Sequence, residues 1–257
     1  MRTKTTILSA VALAAGLLSA SAQVYSANVV GYYNVAVNAG GYKLIANQLT
    51  NSANNLNVVL GAGAKSDPNG VVNTVIYLWG GSGYNIYQYF TGADADTYFL
   101  GVGSVNGWYD ATGTLAVGTL KQGTGHFLYN PSASSITNTF VGQVVQGSFA
   151  RTIKTGFDTY SIVPPVSTNV DSFVGFPGTS DVNGVNNDQI YIYNGGFNIY
   201  QYFTGADADN YFLGVGSVNG WYDAVGTLQS SKQLVGQGFF LNHLTAPVTW
   251  NSTFTVQ

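Results

Sequence analysis

The sequence predicts an all-β protein built from two tandem antiparallel domains, each a β-sandwich or barrel-like unit. Short runs rich in Val, Ile, Tyr, Phe and Thr are separated by clusters of Gly, Asn and Asp. Their spacing of roughly 8–12 residues is the pattern of strands joined by tight turns. No long stretch repeats apolar residues at helical spacing. The chain is also written twice: Asn85 to Asp110 reads NIYQYFTGADADTYFLGVGSVNGWYD, and Asn198 to Asp223 repeats it with Asn210 in place of Thr97.

The first segment reads as an export signal. Arg2 and Lys4 precede an apolar stretch from Ile7 to Leu18, and Ala20-Ser21-Ala22 supplies small residues for cleavage. Residues 1–22 are therefore expected to be a signal peptide, with cleavage near Ala22. The apolar stretch is too short to span a bilayer, and no second run reaches about 18 apolar residues. The expected location is outside the cytoplasm: extracellular, periplasmic or at the cell surface.

Two repeat units follow, expected at residues 23–140 and 141–257. Outside the near-identical block, Gly123-x-Gly125-x-Phe127-Leu128 matches Gly236-x-Gly238-x-Phe240-Leu241, and Ser66-Asp67 matches Ser180-Asp181. The period of about 115 residues suits tandem β domains rather than a solenoid. Expected strands in unit one are Asn28–Val37, Tyr42–Asn47, Thr74–Trp79, Asn85–Thr91, Gly125–Asn130 and Ile136–Gln146, with counterparts in unit two. Asn54–Leu60 and Val170–Val174 are read as helical turns. The first strand of unit one and the last of unit two are expected to lack a continuous partner, inviting self-association through edge strands.

One hairpin permits a residue-level expectation. If Gly195-Gly196 forms a two-residue turn, Asn194 pairs with Phe197 and Tyr193 with Asn198. Tyr191, Tyr193, Tyr200 and Tyr202 then share one face, opposite Ile190, Ile192, Ile199 and Gln201. The same pairing in unit one sets Tyr77, Trp79, Tyr87 and Tyr89 against Ile76, Leu78, Ile86 and Gln88. With the aliphatic face in the core, the Tyr/Trp face is expected first to be covered by other strands or by the neighbouring unit; left open, it would be a stacking surface for sugar rings, joined by Trp108 and Trp221.

Composition narrows the chemistry. Charged residues make up only 7%, with 8 basic and 11 acidic side chains; all the acids are Asp, and Cys is absent. Thiolate metal sites and cysteine nucleophiles are thereby excluded. Nucleic-acid binding is not expected, because phosphate neutralisation needs clustered Lys and Arg. His126 and His243 have no histidine counterpart in the other unit, aligning with Phe239 and Asn130. They are read as structural. The Gly92–Asp96 loop and its copy at Gly205–Asp209 are the candidate Ca²⁺ site, through Asp94, Asp96 and Asp110 and through Asp207, Asp209 and Asp223. No other cofactor is expected. A carboxylate-pair hydrolase would have to rest on these same Asp residues.

Gly41-Tyr42-Lys43-Leu44-Ile45-Ala46-Asn47, Gly107-Trp108-Tyr109-Asp110 and Gly236-Gln237-Gly238-Phe239-Phe240-Leu241 resemble motifs of uncharacterised exported β-repeat proteins of Verrucomicrobia-like bacteria. The resemblance implies secretion and β structure and carries no catalytic residue. The sequence reading is a secreted, non-catalytic protein with a structural or adhesive role at the cell envelope or extracellular matrix. A glycan-binding module is the alternative, and an Asp-dependent hydrolase stands behind both.

Overall fold

A computed structural model describes residues 29–51, 53–60, 63–103, 105–169, 176–216, 218–229 and 232–256. The expected signal peptide and the helical turn at Val170–Val174 lie outside these residues. The fold is all-β, with the same two-layer plan in both units. In unit one, β1 (Val29–Val37) pairs along its length with β7 (Ile136–Val144) as a two-stranded ribbon. The ribbon covers a five-stranded antiparallel sheet in the order β2 (Gly41–Ala46), β6 (Gly125–Asn130), β3 (Val75–Trp79), β4 (Tyr84–Phe90), β5 (Gly107–Tyr109). In unit two, β8 (Gly147–Ile153) and β16 (Val248–Phe254) form the ribbon. The sheet runs β9 (Gly156–Tyr160), β15 (Phe239–His243), β11 (Gln189–Tyr193), β12 (Phe197–Phe203), β13 (Gly220–Tyr222). A short ladder joins β10 (Thr168–Asn169) to β14 (Lys232–Gln233).

These pairings correct the expectation for the end strands. β1 has β7 as partner and β16 has β8, so each unit closes on its own first and last strands. The expected division at residue 140 falls inside β7; the ribbon changes between Val144 and Gly147.

The core lies between ribbon and sheet. In unit one, Val35, Val37, Ile136 and Phe140 from the ribbon meet Ile45, Ile76, Leu78 and Leu128 from the sheet. Strand β3 shows why: alternate residues Ile76 and Leu78 are buried while Val75, Tyr77 and Trp79 are partly exposed, the period of a half-buried strand. In unit two Ile153, Ile190, Ile192, Leu241 and Trp250 do the same work.

The hairpin register is one residue from the expected one. Tyr193 pairs with Phe197, Ile192 with Asn198 and Ile190 with Tyr200. A two-residue type I′ turn needs positive φ at both central residues. Only Gly195 has it, at 83°, and the loop is the three residues Asn194 to Gly196, closed by Asn194 N–H donating to Gly196 O at 2.9 Å. A one-residue slip moves every side chain of the returning strand to the other face. Tyr200 and Tyr202 therefore turn inward with Ile190 and Ile192, while Phe197 and Ile199 turn outward with Tyr191 and Tyr193. In unit one Trp79 pairs with Tyr84 and Ile76 with Tyr87, so Tyr87 and Tyr89 face the core.

The Asp-rich segment is a helix. α1 (Leu56–Val59) matches the expected turn, but α2 (Gly92–Phe99) and α3 (Gly205–Phe212) occupy segments read as loops. Thr91 is the N-cap of α2, its Oγ1 accepting from Asp94 N–H at 3.3 Å and donating to Asp94 Oδ2 at 2.7 Å. That reciprocal Thr-x-x-Asp arrangement starts a helix despite the weak helical propensity of Gly and Asp.

The units meet at the β2–β6 and β9–β15 ends of their sheets. Ala46 N–H donates to Gly236 O at 2.8 Å, and the equivalent Ser161 N–H donates to Gly123 O at 2.9 Å. Gln48 clamps the junction: its Nε2 donates to Ile162 O (2.8 Å) and Pro164 O (3.0 Å), and its Oε1 accepts from Gly236 N–H (2.7 Å).

Candidate functional site

Both faces of each sheet carry rings: Tyr89, Trp108, Tyr200 and Trp221 lie in the cores among aliphatic residues, and the rings of the opposite, outward faces are brought together at the junction. Phe127 on β6 lies 5.1 Å from Tyr193 and 5.9 Å from Phe240, centroid to centroid. Trp79 meets Phe240 at 5.8 Å, nearly perpendicular, and Phe240 stacks on Phe157 at 4.8 Å. On unit one the array continues through Tyr77 and Tyr84 (6.0 Å, perpendicular) to Tyr42, which stacks on Tyr129 at 4.3 Å. Such edge-to-face and offset contacts suit the ring quadrupoles and fix the rings relative to one another.

A pocket of about 320 Å³ opens in this array, lined by Tyr42, Tyr77, Tyr84, Phe127 and Tyr193. Tyr42 and Tyr84 are 45% and 39% exposed, so solvent reaches the rings. Burial, with Tyr42 beside it, raises the Tyr77 phenol to about 12, and burial raises Tyr84 as well. These two hydroxyls stay neutral at physiological pH and can both donate and accept hydrogen bonds.

Of the aromatic residues the sequence singled out, Tyr77, Trp79, Tyr191 and Tyr193 belong to this outward array. Trp108 and Trp221 do not: they are 0% and 1% exposed, and Trp108 Nε1 donates to Leu60 O at 2.8 Å. Tyr89 and Tyr200 are buried in the two cores, with Tyr87 and Tyr202 packed partly buried against them. The sequence reading missed Tyr42, Tyr84, Phe127, Phe157, Phe197 and Phe240. A signal existed for two of them, since Phe127 and Phe240 occupy the same place in the repeated Gly-x-Gly-x-Phe-Leu motif.

The Asp residues proposed for Ca²⁺ are held by local donors. Asp94 accepts from Thr91 and Ser66, and Asp96 accepts from Gly103 N–H at 2.7 Å. Asp110 accepts from the backbone of Thr112 and Thr114 (2.9 and 3.0 Å) in an Asx turn, and the Thr112 hydroxyl and these amides hold its pKa below the usual carboxylate range. Unit two repeats the arrangement. Asp207 accepts from Thr204 and Ser180, Asp209 from Gly216 N–H, and Asp223 from Val225 and Thr227 N–H. Asp94 and Asp96 stand two apart on a helix, a spacing that turns them to different faces. Among the described residues no three His, Cys, Asp or Glu side chains gather in one place.

The histidines have different settings. His126 is buried, neither ring nitrogen has a hydrogen-bond partner among the described residues, and burial lowers its pKa to about 4. His243 is fully buried with its Nδ1 2.8 Å from Asp188 Oδ1. Its Nε2 lies 2.9 Å from Ala246 O, and Thr179 N–H donates to Asp188 Oδ2 at 2.9 Å. Burial raises the Asp188 pKa against these donors. The carbonyl of Ala246 only accepts, so the geometry fits Nε2 as the donor to it. The pair braces the end of β15 to the start of β11, where unit one has Asn130 and Thr74.

No family model, curated protein or solved structure matches the chain. Among the described residues no helix is long and apolar enough to cross a membrane.

Proposed function

We propose that this is an exported, non-catalytic binding protein with an adhesive role, and that the aromatic pocket at the junction of its two units holds a glycan. One observation carries the reading: four strands of unit one and one of unit two supply five rings to a single solvent-open pocket. Folding alone favours putting such rings in the core, where each would bury its full apolar area. Here Tyr42 and Tyr84 leave 45% and 39% of their surface in water. A pyranose ring has an apolar C–H face and a polar rim, and a tyrosine-walled pocket offers the matching pair of surfaces.

Support for binding rather than catalysis comes from the polar groups. Asp96, Asp110 and their repeats accept bonds from their own neighbourhoods, and the His243–Asp188 pair is sealed from solvent. The test is retention of the purified protein on insoluble polysaccharides (cellulose, chitin and peptidoglycan), with Tyr42→Ala and Tyr84→Ala as paired variants. Wild-type retention on one matrix that falls about tenfold in either variant, or about 1.4 kcal/mol, supports the proposal. Absence of retention on any of them, or retention unchanged by both variants, contradicts it.

A further inference from the structure

The two ribbons share a register, which makes them comparable residue by residue. The pairs Val37–Ile136 and Ile153–Val248 are equivalent, and four residues further along each strand Tyr33 faces Phe140 in unit one and Phe149 faces Ser252 in unit two. In unit one this part of the interior is full. Phe140 is 1% exposed and stacks on Tyr33 at 4.9 Å, and Leu49 beside them is also 1% exposed. In unit two the position of Phe140 belongs to Ser252 and that of Leu49 to Pro164, both smaller. A cavity of about 210 Å³ lies there, walled by Phe149, Ile162, Val163, Val166, Trp250 and Phe254, with Arg151 and Ser252 also lining it. An apolar cavity of about 150 Å³ is enough to hold benzene.

The lining also carries a buried charge with no direct ion pair among the described residues. Arg151 donates to the carbonyls of Ser161 (3.1 Å) and Thr159 (3.4 Å) and lies over the Tyr160 ring at 4.3 Å. Among the described residues it has no carboxylate within ion-pair distance; Asp158 is paired with Lys154 at 3.2 Å and acts on Arg151 only from further away. Burial lowers the Arg151 pKa to about 10, which leaves the guanidinium charged at neutral pH. A charge taken out of water without a directly paired carboxylate favours an anionic ligand.

The geometry points to a second binding site, in the ribbon cavity of unit two, for a small aromatic monocarboxylate. Its ring takes the place that the Phe140 ring fills in unit one, and its carboxylate meets Arg151. The residues lining this cavity all belong to unit two, and none of them lines the aromatic pocket; the Arg151 guanidinium also packs against Gly123 of unit one. The experiment titrates the full chain with phenylacetate and with the neutral isostere phenylacetamide, following tryptophan emission, to which Trp250 in the wall contributes. The expected result is saturable phenylacetate binding, with phenylacetamide at least tenfold weaker. Ser252→Phe, which restores the unit-one residue, should abolish phenylacetate binding and raise Tm by about 2–4 °C through cavity filling. If that variant fails to fold, Arg151→Gln is the second test and should erase the preference for the carboxylate. No saturable binding of phenylacetate up to ~10 mM, equal affinity for the amide, or wild-type binding by Ser252→Phe would overturn the assignment.

Discussion

Gly238 crosses Gly125 so closely that a β carbon on Gly238 would stand 2.7 Å from the Cα of Gly125. No real β carbon tolerates that distance from backbone, so the contact fixes Gly238 as glycine, leaves a β carbon on Gly125 only a tight 3.3 Å, and sets how near the two sheets approach. The aromatic pocket depends on that approach, since Tyr193 reaches it from unit two. Gly238→Ala is expected to cost about 2 kcal/mol by overpacking and to weaken polysaccharide retention with it. Gly83→Ala, with open space around the added carbon, is the control and should stay within about 0.5 kcal/mol of wild type. Urea unfolding of the two variants checks both values.

Asp188 and His243 should behave as a coupled pair. Removing one partner leaves the other buried without its bond, at a cost of about 3 kcal/mol for Asp188→Thr alone or His243→Asn alone. The double variant installs the Thr74 and Asn130 combination that unit one already uses. It should recover at least about 1 kcal/mol relative to the sum of the singles. A thermodynamic cycle from denaturant melts reads this coupling, and strict additivity would refute it.

His126 gives a pH dependence with a definite sign. Its folded pKa of about 4 lies below the usual 6.5, so below pH 6.5 the unfolded chain takes up a proton that the folded chain refuses. Stability is fully present above pH 6.5 and is lost as pH falls toward 4. At pH 5 the loss is about 2 kcal/mol from this group. His126→Phe, borrowing Phe239 from unit two, should remove that component of the difference between melts at pH 7 and pH 5.

The helix caps are repeated and should be additive. Thr91→Ala removes the N-cap of α2 and should cost about 1 kcal/mol, and Thr204→Ala should do the same for α3. The two caps share no partner, so the double variant should lose about 2 kcal/mol in a thermal or denaturant melt.

Much of this architecture is legible from local pattern. The alternation in Val75–Trp79 declares a strand with one buried face, and the repeated block declares two equivalent units. The faces of the returning strands were not legible, because the loop fixes the register and Gly195-Gly196 fits either a two-residue turn or the end of a three-residue one. That ambiguity moved Tyr200 and Tyr202 from the surface to the core. The helix at Gly92–Phe99 was obscured by its Gly and Asp content, although Thr91-x-x-Asp94 is a start signal in its own right. Trp108 is an apolar-bodied ring that spacing alone cannot assign to core or surface; its indole finds the carbonyl of Leu60, 48 residues away. The pocket itself is a product of the junction, and contacts such as Phe127 with Tyr193 leave no local trace in either segment.

The most direct test of a single site shared by both units compares Tyr84→Ala, Tyr193→Ala and the double variant on whichever polysaccharide retains the wild type. One shared pocket should give a loss of about tenfold from either single variant, with the double losing less than the product of the two. Full retention by Tyr193→Ala, or strictly multiplicative losses from residues in different units, would contradict it.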